Sequence, residues 1–275
     1  MKNNRYNIAL IGAGTIGTAL GNVLAEAGRE TILIHSIEHQ VADDINQNHI
    51  NNKYFPTLNL HHGLAATTRD SDLAHAKIIF LAIPSVGMID YLKSIRPGIP
   101  PDAILVNLAK GFGTGNKTII ECLQEELPNS VCTMKGPSFA REIINRQPTG
   151  FTLGYQNPDH PAMLGNIFTN TNIHLDYSTD IRGVEILSIL KNIYAVVLGI
   201  VDAQFNSPNL RFLILTRAFR EMRKVLVSFG GNADTLFNYC GYGDFTLTAL
   251  NDLSRNRTLG LLIGKGFFTE HVSHE

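Results

Sequence analysis

Asn7-Ile8-Ala9-Leu10-Ile11-Gly12-Ala13-Gly14-Thr15-Ile16-Gly17 decides how this chain folds. A short apolar run that reads as a strand ends directly on G-x-G-x-x-G. Residues 15–27 behind it have helical periodicity, with Gly28 placed as a C-terminal stop. The glycines permit a tight turn and close backbone approach, while the following helix offers its first amides and positive dipole end to an anion such as a pyrophosphate. Alone the spacing is a weak signal. At the start of a strand, helix, strand alternation it predicts dinucleotide binding at Gly12, Gly14 and Gly17.

That alternation continues outward from the loop. Residues 6–11, 31–34, 78–83, 104–107, 131–134, 150–154 and 173–177 read as strands, and 86–95, 116–127 and 162–168 as helices between them. The expected fold is α/β, a doubly wound parallel sheet over residues 1–179. After about Thr179 the strand-like runs stop, and Val184, Leu187, Leu190, Tyr194, Val197, Leu198 and Val201 recur at helical spacing. A second, all-helical domain is expected over 180–275, with residues 210–229 as another long helix. The Asn-rich 46–52 and the Pro-Gly cluster at 97–101 read as loops, and no internal repeat is found.

Composition narrows the function. The 275 residues carry 23 Lys and Arg against 24 Asp and Glu, so the basic surplus that drives phosphate-backbone binding is missing and nucleic acid is not an expected partner. Cys122, Cys132 and Cys240 are odd in number and form no C-x-x-C pair, which fits a reducing cytosol and no disulfide framework. The opening residues are polar and predict no signal peptide. Residues 183–201 are apolar enough to test as a membrane span, but they contain Glu185, Lys191 and Asn192, and a central charge costs roughly 2.5–3.5 kcal/mol on insertion scales. A buried core helix is expected there, and a cytoplasmic protein with no membrane span.

Several polar residues stand out as chemistry. Lys191 is the only charged residue between Ile186 and Val201. It is either a lysine whose stem packs on the core while its ammonium reaches outward, or a desolvated group whose lowered pKa suits proton transfer at neutral pH. Lys110-Gly111 and Gly136-Pro137-Ser138 each follow a strand, where ligands bind in open α/β sheets. Ser254-Arg255-Asn256-Arg257 offers a guanidinium fork and an amide for a phosphate, or else is a solvated basic face. Asp244, behind Gly241-Tyr242-Gly243, is suited to cap a helix or to pair with a lysine. At the end of the second strand, Ile34-His35-Ser36-Ile37-Glu38 lacks the usual ribose-binding acid or displaces it to Glu38. Ser36 would tolerate a 2′-phosphate, with no arginine beside it, so NAD and NADP both remain open, and His35 is either a surface residue or a contact. His61-His62 and His271-x-x-His274 lack a convincing ligand set, and no metal is expected.

In order along the chain, Gly12 to Gly17, Lys110-Gly111, Gly136-Pro137-Ser138-Phe139-Ala140, Leu190-Lys191-Asn192, Gly241-x-Gly243-Asp244 with Thr248, and Ser254-Arg255-Asn256 resemble the NAD(P)-dependent glycerol-3-phosphate dehydrogenases, from the strand before Gly12 to about Gly266. The resemblance implies a Rossmann-like first domain and interconversion of dihydroxyacetone phosphate and sn-glycerol 3-phosphate by hydride transfer. It implies Lys191 as general acid and base, with Lys110 also in the catalytic set. Substrate positions carry over to Lys110, Gly136, Ser138, Lys191, Asp244, Ser254, Arg255 and Asn256, and cofactor positions to Thr15, Ile16, Ser36, Lys110, Ala140 and Arg255 beside the glycines.

Three departures qualify the match. Ile16 stands where the family usually has an aromatic residue. Phe205, Leu210 and Phe212 are bulky in a stretch where the family is small and glycine-rich, which predicts overpacking beside the substrate, although Asn209 and Arg211 match. The chain ends soon after Phe267-Phe268 where the family continues, so Leu261, Leu262 and Phe267 are expected to need cover, as from the second subunit of a homodimer. Two other functions stay open at this point: a reductase of another small keto or hydroxy acid, against which the Ser254-Arg255-Asn256 phosphate clamp weighs, and a nucleotide-binding paralogue without turnover.

Overall fold

The computed structural model describes residues 7–28, 31–115 and 117–267. From the N-terminus run β1 (Ile8–Ile11), α1 (Thr15–Glu26), β2 (Ile32–His35), α2 (His39–Asn48), β3 (Leu64–Thr67), β4 (Ile78–Leu81), α3 (Met88–Ser94), β5 (Ile104–Asn107), α4 (Ile119–Glu126), β6 (Val131–Lys135), α5 (Ala140–Ile144), β7 (Thr149–Gly154), α6 (His160–Ile167) and β8 (Ile173–Ser178). The strands form one eight-stranded sheet in the order β3-β2-β1-β4-β5-β6-β7-β8. Its strands are short apolar runs because both faces are covered: Ile8 and Leu10 enter one core cluster while Ala9 and Ile11 enter the other.

The winding direction reverses between β1 and β4, and β3 through β6 are all parallel, so their carboxyl ends open on one edge of the sheet. Gly12, Ala82, Leu108 and Gly136 follow those ends, which puts the glycine-rich loop, Lys110 and the Gly136 turn along a single edge.

Four expectations need correction. The sheet is mixed, because β6 and β7 pair antiparallel before β7 and β8 run parallel again. The strand β3, Leu64-Ala65-Ala66-Thr67, was not expected: two small alanines beside a turn give little β signal. Residues 46–48, expected as loop, complete α2, whose buried Val41, Ala42 and Ile45 form a helical stripe and which ends on His49 at φ 52°. Within 97–101 the backbone makes a 3₁₀ turn, Arg96–Gly98.

The remaining chain is helical: α7 (Ile181–Phe205), α8 (Pro208–Ser228), α9 (Asp244–Leu250) and α10 (Arg255–Gly264). Asp180 caps α7 by accepting from Gly183 N. Val184, Leu187 and Leu198 of α7 pack with Leu215, Met222 and Leu226 of α8 and with Phe245 and Ala249 of α9. α7 and α10 meet through glycines; a Cβ on Gly260 would lie 2.1 Å from the Val196 carbonyl oxygen. By length and composition α7 passes as a membrane span, yet over half of its apolar window is buried inside this protein, with Glu185 and Lys191 among the buried residues. Phe205 and Phe212 stand exposed at the corner between α7 and α8, so the expected overpacking does not occur there. Leu262 and Phe267 are also exposed.

Candidate active site

At the glycine-rich loop, Gly12 adopts φ +112°, and a Cβ on it would lie 2.6 Å from the Ala82 carbonyl oxygen, so only glycine fits between β1 and β4. Gly17 is equally crowded, its missing Cβ falling 2.0 Å from the Gly12 carbonyl, which lets α1 sit against its own loop. Gly14 faces open space. The first turn of α1 has neither a capping side chain nor an acidic residue, Thr15 is exposed and Ile16 half-buried. An uncapped helix start behind a tight glycine turn leaves free amides of the kind that bind a pyrophosphate, and Gly12, Gly14, Thr15, Ile16 and Gly17 make up that turn. Asn51, fully buried, braces the loop by donating from Nδ2 to the Ala13 carbonyl (3.0 Å) and to Thr18 Oγ1 (2.8 Å).

At the end of β2, His35 is neither a surface residue nor free for a ligand. It is buried, with Nε2 2.9 Å from Asp70 Oδ1 and Nδ1 3.2 Å from the Tyr91 hydroxyl, and burial lowers its pKa. Ser36 is also buried, its hydroxyl accepting from Glu38 N at 3.0 Å in a tight turn. Glu38 forms an exposed ion pair with Lys53 (2.6 Å).

Further along the edge, two lysines converge on one carboxylate. Lys191, on α7, is 4 % exposed and donates to Asp244 Oδ1 (2.7 Å) and Thr248 Oγ1 (2.8 Å), both from α9. Lys110, after β5, is 27 % exposed; its Nζ lies 2.9 Å from Asp244 Oδ2 and 3.4 Å from the Gly136 carbonyl oxygen. Lys191 therefore does not send its ammonium outward. Burial is the largest influence on it and Lys110 adds to that effect, while Asp244 opposes both; the balance pushes its pKa down to about 7. Asp244 opens α9, and its carboxylate serves the lysines rather than capping the helix. Thr248 is a site residue that the sequence marked only as part of a motif.

The Gly136 turn is placed by packing: its Cβ would fall 2.1 Å from the Gly150 carbonyl oxygen, and Ser138 donates back to the Gly136 carbonyl at 2.9 Å. Ala140 opens α5 directly behind. Of the basic tetrapeptide, Ser254 caps α10 by accepting from Arg257 N, and Arg257 is a buried structural residue bonded to Asp202 (2.6 Å) and Asp252 (2.9 Å). Arg255 is exposed and has no ion-pair partner among the described residues, while Asn256 is half-buried. The His271-x-x-His274 grouping lies outside the described residues. Burial pushes the Cys132 and Cys240 thiols up to about 12, so neither supplies a thiolate nucleophile at neutral pH.

Known proteins match most of the chain. Residues 7–160 match the NAD-dependent glycerol-3-phosphate dehydrogenase N-terminus and 180–275 its C-terminus. A glycerol-3-phosphate dehydrogenase [NAD(P)+] of Methanothermobacter thermautotrophicus is 35% identical over 261 residues, 94% of this chain and 80% of that one. One of Leptospira biflexa is 34% identical over 265 residues, covering 94% and 79%. The crystal structure of glycerol-3-phosphate dehydrogenase from Coxiella burnetii superposes with a TM-score of 0.88 at 30% identity, over 94% of this chain and 80% of that one. With both halves of the family matched and the lysine pair built at the sheet edge, the chain belongs to the NAD-dependent glycerol-3-phosphate dehydrogenase family.

Proposed function

We propose that this chain interconverts dihydroxyacetone phosphate and sn-glycerol 3-phosphate with NAD or NADP, and that Lys191 is its general acid and base. The observation that carries this assignment is the buried Lys191 Nζ held between Asp244 Oδ1 and Thr248 Oγ1. When bound, the nicotinamide supplies or receives the hydride at the substrate's C2. In reduction, Lys191 donates a proton to the oxygen of the breaking C=O, giving the secondary alcohol; in oxidation it takes that proton back. A pKa near 7 leaves both forms populated at neutral pH, which suits both directions. Asp244 and Thr248 fix where the ammonium points, and Lys110 adds a second, more open donor toward the substrate.

Arg255, exposed and without an ion-pair partner among the described residues at the start of α10, is assigned with Asn256 to the substrate phosphate, helped by the amides of the same helix start. Gly136, Ser138 and Ser254 shape the substrate side; Ser36, Ala140 and the glycine-rich loop shape the cofactor side. Residues 1–179 form the dinucleotide domain and 180–275 the substrate domain. Three free, buried cysteines suit a reducing cytoplasm, and the exposed Ile193, Val197, Leu262 and Ile263 of α7 and α10 suit a second copy of the chain.

The test is oxidation of NADH and of NADPH by purified protein with dihydroxyacetone phosphate, run beside Lys191→Ala. Lysine-dependent loss of cofactor absorbance is expected. Reduction of unphosphorylated keto acids alone, or no turnover by folded protein, would overturn the assignment.

A further inference from the structure

Beneath Lys110 and Lys191 lies a third lysine. Lys135, the last residue of β6, and Glu185, on α7, are both 0% exposed and form an ion pair at 2.9 Å. Glu185 Oε1 also accepts from Asn107 Nδ2 (2.9 Å) and from the Thr133 hydroxyl, while Oε2 is buried without a hydrogen-bond partner among the described residues. Lys135 donates in turn to the Asn107 carbonyl at 3.0 Å. One buried cluster thus ties the carboxyl ends of β5 and β6 to α7.

The cluster is one residue removed from the site on two sides. Asn107 Oδ1 accepts from Ala109 N (2.9 Å), fixing the backbone that leads into Lys110. Lys135 itself precedes Gly136, whose carbonyl lies 3.4 Å from Lys110 Nζ. Glu185 stands six residues before Lys191 on the same helix, about 9 Å along its axis.

A buried ion pair is a poor way to stabilise a fold, because desolvating two charges consumes most of their attraction, and apolar residues of similar volume hold a core as well. What charges add is direction: three donors aimed at one oxygen define one arrangement of three elements. We propose that Lys135 and Glu185 are positioning residues that hold Lys110 and the Gly136 carbonyl in register with Lys191 and Asp244. The role rests on the lysine assignments above, and its test separates the two.

The neutral double variant Lys135→Met/Glu185→Gln removes both charges and leaves no uncompensated ion, so it is the variant to compare with wild type. Thermal unfolding and cofactor affinity close to wild type are expected, with kcat for dihydroxyacetone phosphate reduction down about 100-fold. A readout independent of turnover is the rate of reductive methylation at Lys110, followed by peptide mass spectrometry; release of Lys110 from its register should raise it about tenfold, the loss of one hydrogen bond. Unchanged methylation and unchanged kcat in the folded double variant would overturn the proposal. So would a double variant that fails to fold, which would assign the pair to stability alone. If wild type itself reduces no dihydroxyacetone phosphate, the functional assignment fails, and the methylation comparison still decides the positioning role.

Discussion

Lys191 and Asp244, 53 residues apart in sequence, meet at 2.7 Å with 4 % and 1 % of their side chains exposed. One carboxylate holds the ammonium of α7 and also faces Lys110 in the loop after β5, so the helical half completes a site that the sheet begins. Lys191→Ala removes the proposed proton donor while leaving the glycine-rich loop untouched. Turnover should fall about 10²- to 10⁴-fold with cofactor affinity unchanged, read by steady-state kinetics beside a cofactor fluorescence titration. Loss of cofactor binding in the variant would remove Lys191 from the proton-transfer role.

The sign of the pH dependence follows from the lowered pKa of about 7 at Lys191. Reduction needs the protonated amine, so its kcat/KM should be full below that value and fall as pH rises through it, while oxidation should rise through the same range. Asp244 raises this pKa, and Asp244→Asn removes that support. The reduction limb should then move to lower pH, with a large loss of rate at neutral pH. A limb unmoved in both directions would mean that another group titrates.

Arg255 and Arg257, two residues apart, should part company on substitution. Arg255 is exposed and unpaired among the described residues, so Arg255→Ala should raise KM for the phosphorylated substrate about tenfold or more and leave the unfolding temperature alone. Arg257 is buried against Asp202 and the Ala249 carbonyl, so Arg257→Ala should cost about 2 kcal/mol of stability through those lost bonds, while Arg211 still pairs with Asp202, as measured by denaturant unfolding. Matching effects on KM from both would refute the separate roles.

How much of this was legible depended on range. The glycine-rich loop and the strands around it are local: Ile8-Ala9-Leu10-Ile11 before Gly12 carries its own signal. Lys191 was legible as an anomaly, one charge in an apolar helix, but its direction was not, since only α9 folding back with Asp244 and Thr248 turns the ammonium inward. Lys135 gave no sign, because a lysine ending a strand usually means a solvated edge, and its partner Glu185 lies 50 residues on. The antiparallel turn to β7 was equally hidden: pairing direction is set by the connection through α5, not by the residues of the strand. His35 read equally as a surface residue or a ligand contact, and only Asp70 and Tyr91, distant in sequence, decide that it is neither.

The glycines of the loop should also respond unequally, which separates backbone geometry from ligand contact. Gly12 combines φ +112° with a Cβ position 2.6 Å from the Ala82 carbonyl oxygen, so alanine there must push β1 away from β4. Gly12→Ala should destabilise the protein by about 2 kcal/mol and abolish cofactor binding together. Gly14 has φ −74° and open space where its Cβ would stand, so Gly14→Ala should fold with an unchanged unfolding temperature. The open space there is what a pyrophosphate would fill, and the added methyl should weaken cofactor affinity without touching the fold. A Gly14→Ala protein that binds NADH and NADPH as tightly as wild type would place the cofactor phosphates elsewhere along the edge.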